Sequence, residues 1–396
     1  MDRNGDMWIS PGGVDKGTLR REDIVCVKRD GSVDGIHKPS SEFPFHRAIY
    51  KMRPDIKAIL HAHPPALVSF SIAGMIPNTA VLPNARQVCG EVGFAPYAIP
   101  GSEELGKNIA AVFAKGHNTI LLENHGACTS GATLLEAFQR FETLDFCARL
   151  INKANTVGKP NMLTATEIEF SNLNRNTDFV EFVPEYHCSE EKDLRVKMIE
   201  LIHRSYSQML FTSTEGTFSV RIDKDRFLIT PYGVDRASLT AEDLVLVEGN
   251  KYEAGKNLSR AAWFYKAIYD RQPEVNSIII AQPPSIMAYC VAGIPFDART
   301  IPESYILLRE TPLFEFGAHY RELDKISGIV SLRNPVIMIR NDCLLTVGKT
   351  LLEAYDRMEV AEYSAKAVLA AHAIGKVHPI NDQQVKDLVK AFKLIE

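Results

Sequence analysis

The amino-acid sequence predicts a layered α/β protein in which one domain occurs twice in tandem. The chain has 396 residues, enough for two domains of ordinary size. Long blocks of the first half return in the second half at an almost constant offset. Within each half, strand-like runs alternate with amphipathic helix patterns, and this order favours a sheet covered by helices on both faces.

Three pairs of blocks carry the repeat. Residues 8–27 read "WISPGGVDKGTLRREDIVCV" and match 228–247, "LITPYGVDRASLTAEDLVLV". Residues 45–60 match 264–279, and residues 120–138 match 336–355. A repeat of this length indicates duplicated domains, because solenoid repeats are much shorter.

The elements of the first copy follow from local sequence patterns. Strands end in Pro-Gly or Asp-Gly turns, and Ser residues mark helix starts while Gly marks a helix stop. Ser41 is the predicted N-cap of the first helix, and Ser102 and Gly116 bound a later one. The predicted strands are 8–13, 22–27, 56–63 and 118–127, and the predicted helices are 41–52, 101–116 and 133–154.

The predicted domain limits are 1–165 and 191–396, joined by a polar, aperiodic linker at 166–190.

The two copies of the repeat differ at their starts. In the second copy, Phe218–Ile222 provides an antiparallel partner for the strand that matches residues 7–10; in the first copy this partner would lie before Met1. We therefore expect the first domain to lack its first helix and strand. Either the start codon is assigned late, which we favour, or the domain tolerates an unpaired edge.

Composition excludes several classes of function. The net charge of −4 argues against a nucleic-acid binder, whose affinity comes mainly from Lys and Arg on phosphates. The chain has no apolar run of about 18 residues and no signal-peptide pattern at its start, so no membrane association is expected. The seven cysteines are scattered without C-x-x-C pairs, which indicates reduced thiols in a cytoplasmic protein.

Two histidines in "HAHPP", His61 and His63, form the first candidate site. Residues i and i+2 of a strand point to the same face, so both imidazoles can reach one metal ion. Two surface histidines at a strand end would give the same pattern. His125, in "ENHGA", again follows an apolar strand, and Gly126 beside it permits a close backbone approach. Glu42 stands at the start of the helix that leads into the His61 strand.

The second copy decides between these interpretations, because it replaces the whole set while the flanking Pro64 and Pro65 persist. The replacements are Ala261 for Glu42, Ile280 for His61, Gln282 for His63 and Asp342 for His125. Four polar residues lost together imply one shared role. Three histidines and a carboxylate suit a catalytic divalent ion, most simply Zn²⁺, with Glu42 as the acid/base.

The pattern "KPSSE…H-x-H-P…NHG" resembles the class II aldolase/adducin family, and the resemblance extends over both copies. It implies a three-layer α/β/α sandwich with a mainly antiparallel central sheet, duplicated here in tandem. It also implies zinc at His61, His63 and His125 and an acid/base at Glu42. Gly13, Ser40 and Ser41 would line a substrate phosphate pocket, although the two serines also fit a helix N-cap.

Three family features are missing from the first copy. The Gly-Asn-x-Ser phosphate loop would precede Met1, whereas the second copy keeps a version at 216–221, "GTFSVR". The His-Ala-Asp segment of the epimerases is absent. The tyrosine that aldolases use as a second proton donor would fall near Val81 or Leu82, and Tyr97 and Arg86 are the nearby alternatives.

The sequence therefore predicts a metal-dependent aldolase, a lyase. It would cleave a ketose 1-phosphate, such as fuculose or rhamnulose 1-phosphate, to dihydroxyacetone phosphate and an aldehyde through a zinc-stabilised enediolate. The alternatives are a sugar-phosphate epimerase, a dehydratase or a hydroxy-acid decarboxylase on the same site, or a non-catalytic adducin-like scaffold. We also expect a homo-oligomer, in which a dimer of two-domain chains mimics a tetramer. A phosphorylated sugar is the expected partner.

Overall fold

A computed structural model describes residues 1–2 and 4–394 and contains two compact units. Unit one comprises Met1–Thr79 and Ala85–Ala148, and unit two comprises Ala80–Asn84 and Arg149–Glu396. Both units mix strands and helices. In the described residues, no helix is long and apolar enough to cross a bilayer.

Among the described residues, the first copy of the repeat contains seven strands and five helices. The strands are β1 (Met7–Ile9), β2 (Val25–Val27), β3 (Val33–Asp34), β4 (Ala58–Ala62), β5 (Val92–Ala95), β6 (Thr119–Leu122) and β7 (Ala127–Gly131). The helices are α1 (Phe43–Met52), α2 (Pro65–Ile72), α3 (Pro83–Cys89), α4 (Glu103–Phe113) and α5 (Leu134–Val157), with short 3₁₀ turns at Lys16–Thr18, Arg21–Asp23 and Thr79–Val81.

The strands of unit one form two sheets. One has the order β1-β2-β3 and is antiparallel, and the other has the order β4-β7-β6-β5, in which only β5 and β6 run parallel. Helices α1 and α4 supply Phe45, Ile49, Ile109 and Phe113 to the core on one side. On the other side Thr129 of β7 donates a hydrogen bond from its hydroxyl to the backbone of α5.

The repeat of unit two contains nine strands and nine helices. The strands are β8 (Val180–Phe182), β9 (Thr217–Arg221), β10 (Arg226–Ile229), β11 (Val245–Glu248), β12 (Lys251–Glu253), β13 (Ser277–Ala281), β14 (Leu313–Phe314), β15 (Val336–Ile339) and β16 (Cys343–Gly348). The helices are α6 (Ala165–Ser171), α7 (Ser189–Ser207), α8 (Ala262–Arg271), α9 (Pro284–Ala292), α10 (Pro302–Leu308), α11 (Ala318–Arg321), α12 (Leu323–Ile329), α13 (Leu351–Ile374) and α14 (Asp382–Phe392), with a 3₁₀ turn at Ala241–Asp243.

One nine-stranded sheet spans unit two in the order β14-β15-β16-β13-β9-β10-β11-β12-β8. Only the two edge pairs, β14 with β15 and β12 with β8, are parallel. Alternate residues point to opposite faces, so Ile278, Ile337 and Leu345 pack with α8 and α12, while α9 and α13 cover the other face. The predicted α/β/α fold class with mainly antiparallel sheets is confirmed, but the strands of unit one form two sheets instead of one.

The two units differ where strand β9 lies. In unit two, β9 pairs with both β10 and β13 and so joins the two halves of the sheet. In the described part of unit one, no strand pairs with both β1 and β4 as β9 pairs with β10 and β13. Strands β1 and β4 therefore belong to separate sheets. The amino group of Met1 donates to the Lys57 carbonyl at 2.7 Å, as Arg221 N–H at the end of β9 donates to the Asn276 carbonyl at 2.8 Å.

Three local expectations differ from the structure. The N-cap of α1 is Glu42, and Ser41 lies just outside the helix. The predicted single strand 118–127 is two strands joined by a turn. Segment 166–190, predicted as a linker, includes β8, which pairs with β12. Its polar sequence carried no strand signal because β8 is an edge strand with two exposed side chains. The predicted domain limits remain a prediction.

Candidate metal centre

Strand β4 positions the first two histidines. It pairs antiparallel with β7, and His61 stands opposite Cys128. His63 follows the strand by one residue, so the extended backbone sends both rings to one face. Their ring centroids are 4.7 Å apart with perpendicular planes. Pro64 and Pro65 then end the strand and begin α2.

His125 lies in the tight turn between β6 and β7. Asn124 before it has a φ of 51°, a left-handed conformation that Asn adopts more readily than most residues. Gly126 after it packs directly on the end of β4: a Cβ at this position would lie 2.6 Å from the Ala62 carbonyl oxygen and 2.6 Å from the His63 ring. The residue at 126 must therefore lack a side chain for His63 and His125 to approach each other.

Ser71 of α2 holds this turn in place, a role that the sequence did not suggest. Its buried hydroxyl donates to the Leu122 carbonyl at 2.6 Å and accepts the N–H of His125 at 3.0 Å. The second copy carries Cys290 at the matching position. That replacement accompanies the loss of the histidines and is the signal that could have identified Ser71.

The structure brings together the three histidines that the sequence singled out. The centroid of His125 is 4.9 Å from that of His61 and 5.0 Å from that of His63. One nitrogen from each ring lies within 4.8 Å of the others. In the described residues, no other group of three His, Cys, Asp or Glu side chains has this arrangement. This geometry can hold a divalent metal ion.

The hydrogen bonds of the histidines fit a metal. His61 Nδ1 lies 2.9 Å from the Ala127 carbonyl oxygen, which requires a proton on Nδ1 and leaves the lone pair of Nε2 free. That Nε2 atom is buried and has no hydrogen-bond partner, and the same holds for His125 Nδ1. Buried imidazole nitrogens normally find a partner, so a shared metal ion explains both atoms.

The electrostatics keep the three rings neutral. Burial, together with the neighbouring His63 and His125, lowers the pKa of His61 to about 3. Burial also lowers the pKa of His63, with a further contribution from His125, and burial alone lowers that of His125. Neutral imidazoles are the form that binds metal ions, so the site needs no deprotonation at neutral pH.

Glu42 faces the same site from the start of α1. Its side chain makes no capping hydrogen bond, and its Oε2 atom is buried without a partner. Burial raises the pKa of the carboxyl, while the proximity of His63 partly opposes this increase. One turn along α1, Phe45 packs edge-on against His61 with 5.3 Å between ring centroids. This packing ties the start of α1 to the histidine cluster.

The residues predicted for phosphate binding lie where two loops meet in front of α1. Pro11 bridges to Pro39, and Ser40 N–H donates to the Ser10 carbonyl at 3.1 Å. Ser40 Oγ accepts the N–H of Glu42 at 3.3 Å, so this serine has a capping contact. Ser41 is exposed, and Gly13 is exposed with a φ of 68° and open space beside its Cα.

The relationship to known proteins agrees with this geometry. The family model of the class II aldolase and adducin N-terminal domain matches residues 1–151 and again residues 196–369. The chain belongs to the class II aldolase and adducin family. The two matches cover most of the chain and correspond to the two copies of the repeat.

Individual members of the class II aldolase and adducin family match part of the chain. A 5-deoxy-D-ribulose 1-phosphate aldolase of Bacillus thuringiensis is 33% identical over 172 residues, 42% of this chain and 77% of that protein. A 3-oxo-tetronate 4-phosphate decarboxylase of Haemophilus influenzae is 34% identical over 146 residues, 36% of this chain and 69% of that protein. A solved L-fuculose 1-phosphate aldolase is 33% identical, covers 42% of this chain and 77% of its own, and has a TM-score of 0.38.

Proposed function

We propose that the protein is a metal-dependent lyase of the aldolase type. It cleaves a ketose 1-phosphate, such as fuculose or rhamnulose 1-phosphate, to dihydroxyacetone phosphate and an aldehyde. The observation that carries the proposal is the convergence of three neutral imidazoles beside the half-buried Glu42, whose Oε2 atom is buried without a partner. The relative from Bacillus thuringiensis, an aldolase for a deoxypentulose 1-phosphate, supports the substrate class.

His61, His63 and His125 hold the metal ion, with Zn²⁺ the ion that best suits three imidazoles. An ion held by these three residues would supply Lewis-acid chemistry at the carbonyl and hydroxyl oxygens of the substrate. The hydrogen bond from His61 Nδ1 to Ala127 fixes the ring so that Nε2 faces the site.

Glu42 is the acid/base. Its raised pKa brings the carboxyl towards the range in which it both takes a proton from a substrate hydroxyl and returns one to carbon. Ser40, Ser41 and the Gly13 loop bind the phosphate beside the N-terminus of α1, where the serine hydroxyls and the helix dipole favour an anion. This places the reacting carbons between the phosphate loop and the histidines.

Decarboxylation of a phosphorylated 3-oxo acid is the second candidate function. The decarboxylase from Haemophilus influenzae is as similar to this chain as the aldolase is. Val81 and Leu82, near the expected place of the aldolase tyrosine, are buried side chains without an acidic proton. Loss of carbon dioxide leaves one carbanion to protonate, so Glu42 alone suffices for that reaction.

A product assay separates the two candidates. Purified protein with added Zn²⁺ is incubated with fuculose 1-phosphate, rhamnulose 1-phosphate, 5-deoxyribulose 1-phosphate and 3-oxo-tetronate 4-phosphate. Dihydroxyacetone phosphate from a ketose supports the aldolase, and carbon dioxide from the oxo acid supports the decarboxylase. No turnover of any compound, together with no divalent metal by elemental analysis, would instead favour an adducin-like scaffold.

Glu42→Gln tests the acid/base assignment. We expect turnover to fall about 10²–10⁴-fold, because the amide cannot exchange a proton, while the metal content stays the same. The exposed Glu104→Gln on α4 is the matched control and should keep wild-type activity. Full activity of Glu42→Gln would remove Glu42 from the mechanism.

We also propose a cytoplasmic homo-oligomer. Unit one exposes large apolar side chains, including Trp8 at 56%, Ile36 at 74% and Ile99 at 70%, which suit a subunit interface. Light scattering at assay concentration tests this assembly, and a fully active monomer would contradict it.

A further inference from the structure

Unit two contains a cavity of about 150 Å³ at the position that matches the histidine cluster of unit one. Its lining includes Ala261, Ile280, Gln282 and Asp342, the residues that align with Glu42, His61, His63 and His125. The duplicated pocket has therefore persisted although the side chains that suit a metal have been replaced.

Three arginines give this cavity a positive lining. Arg236 is only 4% exposed, and its guanidinium donates to the carbonyls of Gly216, Pro231 and Val234 at 2.9, 3.0 and 2.6 Å. All three acceptors are neutral. Burial lowers its pKa to about 10, so the group stays charged at neutral pH. In the described residues no carboxylate forms a hydrogen bond or ion pair with it, and Asp235 attracts it only from a distance. A buried charge without a directly bonded counter-ion favours an anionic ligand.

Arg175 and Arg260 line the same cavity. Arg175 donates to the carbonyls of Leu173 and Phe170 at 2.9 and 2.7 Å, and its guanidinium lies 3.8 Å from the ring centroid of Tyr320. Arg260 is exposed, with its guanidinium 4.8 Å from the ring centroid of Tyr232. None of these contacts neutralises either charge. A planar guanidinium group can donate two parallel hydrogen bonds to two oxygens of one phosphate.

Two carboxyl groups, Glu215 and Asp342, also line the cavity. Burial raises the pKa of Asp342 to about 7, against the attraction of Arg260 and Arg175, so much of this carboxyl is neutral near pH 7. The arginines thus outnumber the charged carboxylates, and the cavity keeps a net positive lining.

Two deeply buried side chains in the cavity each keep one polar atom without a partner, although Gln282 Nε2 donates to the Asp342 carbonyl and His319 Nε2 lies 3.4 Å from Asp342 Oδ2. Gln282 is 7% exposed, and its side-chain oxygen has no hydrogen bond. His319 is 5% exposed, and its Nδ1 atom has none either. Such groups are normally satisfied by protein, water or a ligand. An amide oxygen and an imidazole nitrogen suit the hydroxyl groups of a polyol.

We propose that unit two binds a phosphate monoester of a short polyol in this cavity without a metal ion. The arginines contact the phosphate, and Gln282 and His319 contact the hydroxyls. The described part of unit two has no histidine triad, and Ala261 stands where unit one has Glu42, so the ligand is bound and not cleaved. This inference does not depend on the proposed reaction of unit one.

Calorimetric titration of the chelator-treated full chain with glycerol 3-phosphate tests the proposal. We expect one saturable site that needs no metal. Arg260→Ala, at an exposed position that the fold tolerates, weakens binding about tenfold, the effect of one charge-assisted hydrogen bond. Gln282→Leu weakens binding of the ester but not of inorganic phosphate. Arg299→Ala, which removes a surface arginine paired with Asp297 outside the cavity, leaves binding unchanged.

His63→Ala separates the two pockets. Binding to unit two persists in this variant, because the change lies in unit one. The proposal is overturned by the absence of saturable binding, by equal affinity in Arg260→Ala and wild type, or by loss of binding in His63→Ala. Equal affinities for inorganic phosphate and for the ester would refute the part assigned to the polyol.

Discussion

A single buried hydroxyl helps to position one of the three clustered histidines. Ser71 joins α2 to the turn of His125 through two hydrogen bonds, one donated to the Leu122 carbonyl and one accepted from the His125 N–H. The same two backbone groups also contact each other at 3.2 Å, and the serine bridges them to α2, so it positions the turn that carries the imidazole. Cys290, at the matching place in unit two, is a weak hydrogen-bonding group.

Ser71→Ala should weaken the metal site without removing a ligand. The Leu122 carbonyl and the His125 N–H lose the Ser71 hydroxyl and keep only their contact with each other at 3.2 Å, so the turn is held less firmly against His61 and His63. We expect metal affinity to fall about 10–100-fold, as for other residues that orient ligands, with about 1–3 kcal/mol lost in unfolding free energy. Competition with a fluorescent chelator measures the affinity. Ser71→Cys should be intermediate, and an unchanged affinity in Ser71→Ala would refute the positioning role.

At the residue scale, the sequence was sufficient to predict the three histidines but not Ser71, which holds the turn of His125. The i and i+2 spacing of His61 and His63 and their loss in the second copy need no three-dimensional information. Ser71 was missed because it lies in an apolar stretch and acts through backbone groups of another element. Ser41 was expected to cap α1, but the helix begins after Glu42, so the carboxyl stands at the helix terminus.

At the scale of elements, the β6–β7 hairpin contains one glycine that the fold requires and one that the histidine cluster requires. Gly131 ends β7, and a Cβ there would lie 2.8 Å from Ala137 N; Gly348 has the same relation to Ala354 N at 2.7 Å. This glycine is kept in both units because both turns enter a long helix. Gly126 corresponds to Cys343, so unit two, which lacks the histidines, does not need the close approach.

Gly126→Ala should therefore disrupt the metal site more than the fold. The added methyl group would clash with the Ala62 carbonyl and the His63 ring, both 2.6 Å away, and the ring is the part able to move. We expect loss of metal binding and turnover, with about 1–3 kcal/mol of destabilisation. Gly328→Ala, in α12 with open space around its Cα, is the control and should be neutral or slightly stabilising. Metal content and thermal unfolding of both variants test this, and retained metal in Gly126→Ala would contradict it.

Elements were predictable where their signals were local. The Ser102 cap of α4 is confirmed, since its side chain accepts the N–H of Leu105. The long helix predicted at 133–154 is α5, Leu134–Val157. The break between β6 and β7 was missed because it depends on one left-handed residue, Asn124, inside an otherwise apolar run. β8 was missed because its pairing with β12 joins residues far apart in the chain.

At the scale of the whole molecule, the two copies share their core residues but differ in the residues of the candidate metal site. Both units keep equivalent core positions, such as Phe45 and Phe264 or Ile49 and Ile268. Packing positions resist change, because a volume change in a core is destabilising. Polar site residues carry no such constraint once their function is lost. The comparison of the two copies therefore predicted the candidate site more sharply than any single motif.

Buried histidines and buried carboxyl groups have opposite effects on the stability of the fold at low pH. Burial lowers the pKa of His46 to about 4, and that of His61 and of His319 to about 3. The unfolded chain then binds more protons than the folded one, so these histidines destabilise the fold as the pH falls below about 6.5. Burial raises the pKa of Glu42 and Asp342, and these carboxyls stabilise the fold on acidification. Because three histidines oppose two carboxyls, we expect the metal-free protein to lose stability between about pH 6.5 and pH 4.

His46→Gln isolates one of these opposing contributions. His46 lies on α1, and its lowered pKa results mainly from burial, so the neutral amide removes a group that resists protonation only in the folded state. Between about pH 6.5 and pH 4 the variant should gain up to about 3 kcal/mol in unfolding free energy relative to wild type. Near pH 7 the imidazole is neutral in both states, so the difference there reflects packing alone. Urea unfolding of both proteins at about pH 7 and about pH 4.5 measures the two differences. Parallel pH curves would show that His46 is protonated as easily in the folded chain as in the unfolded one.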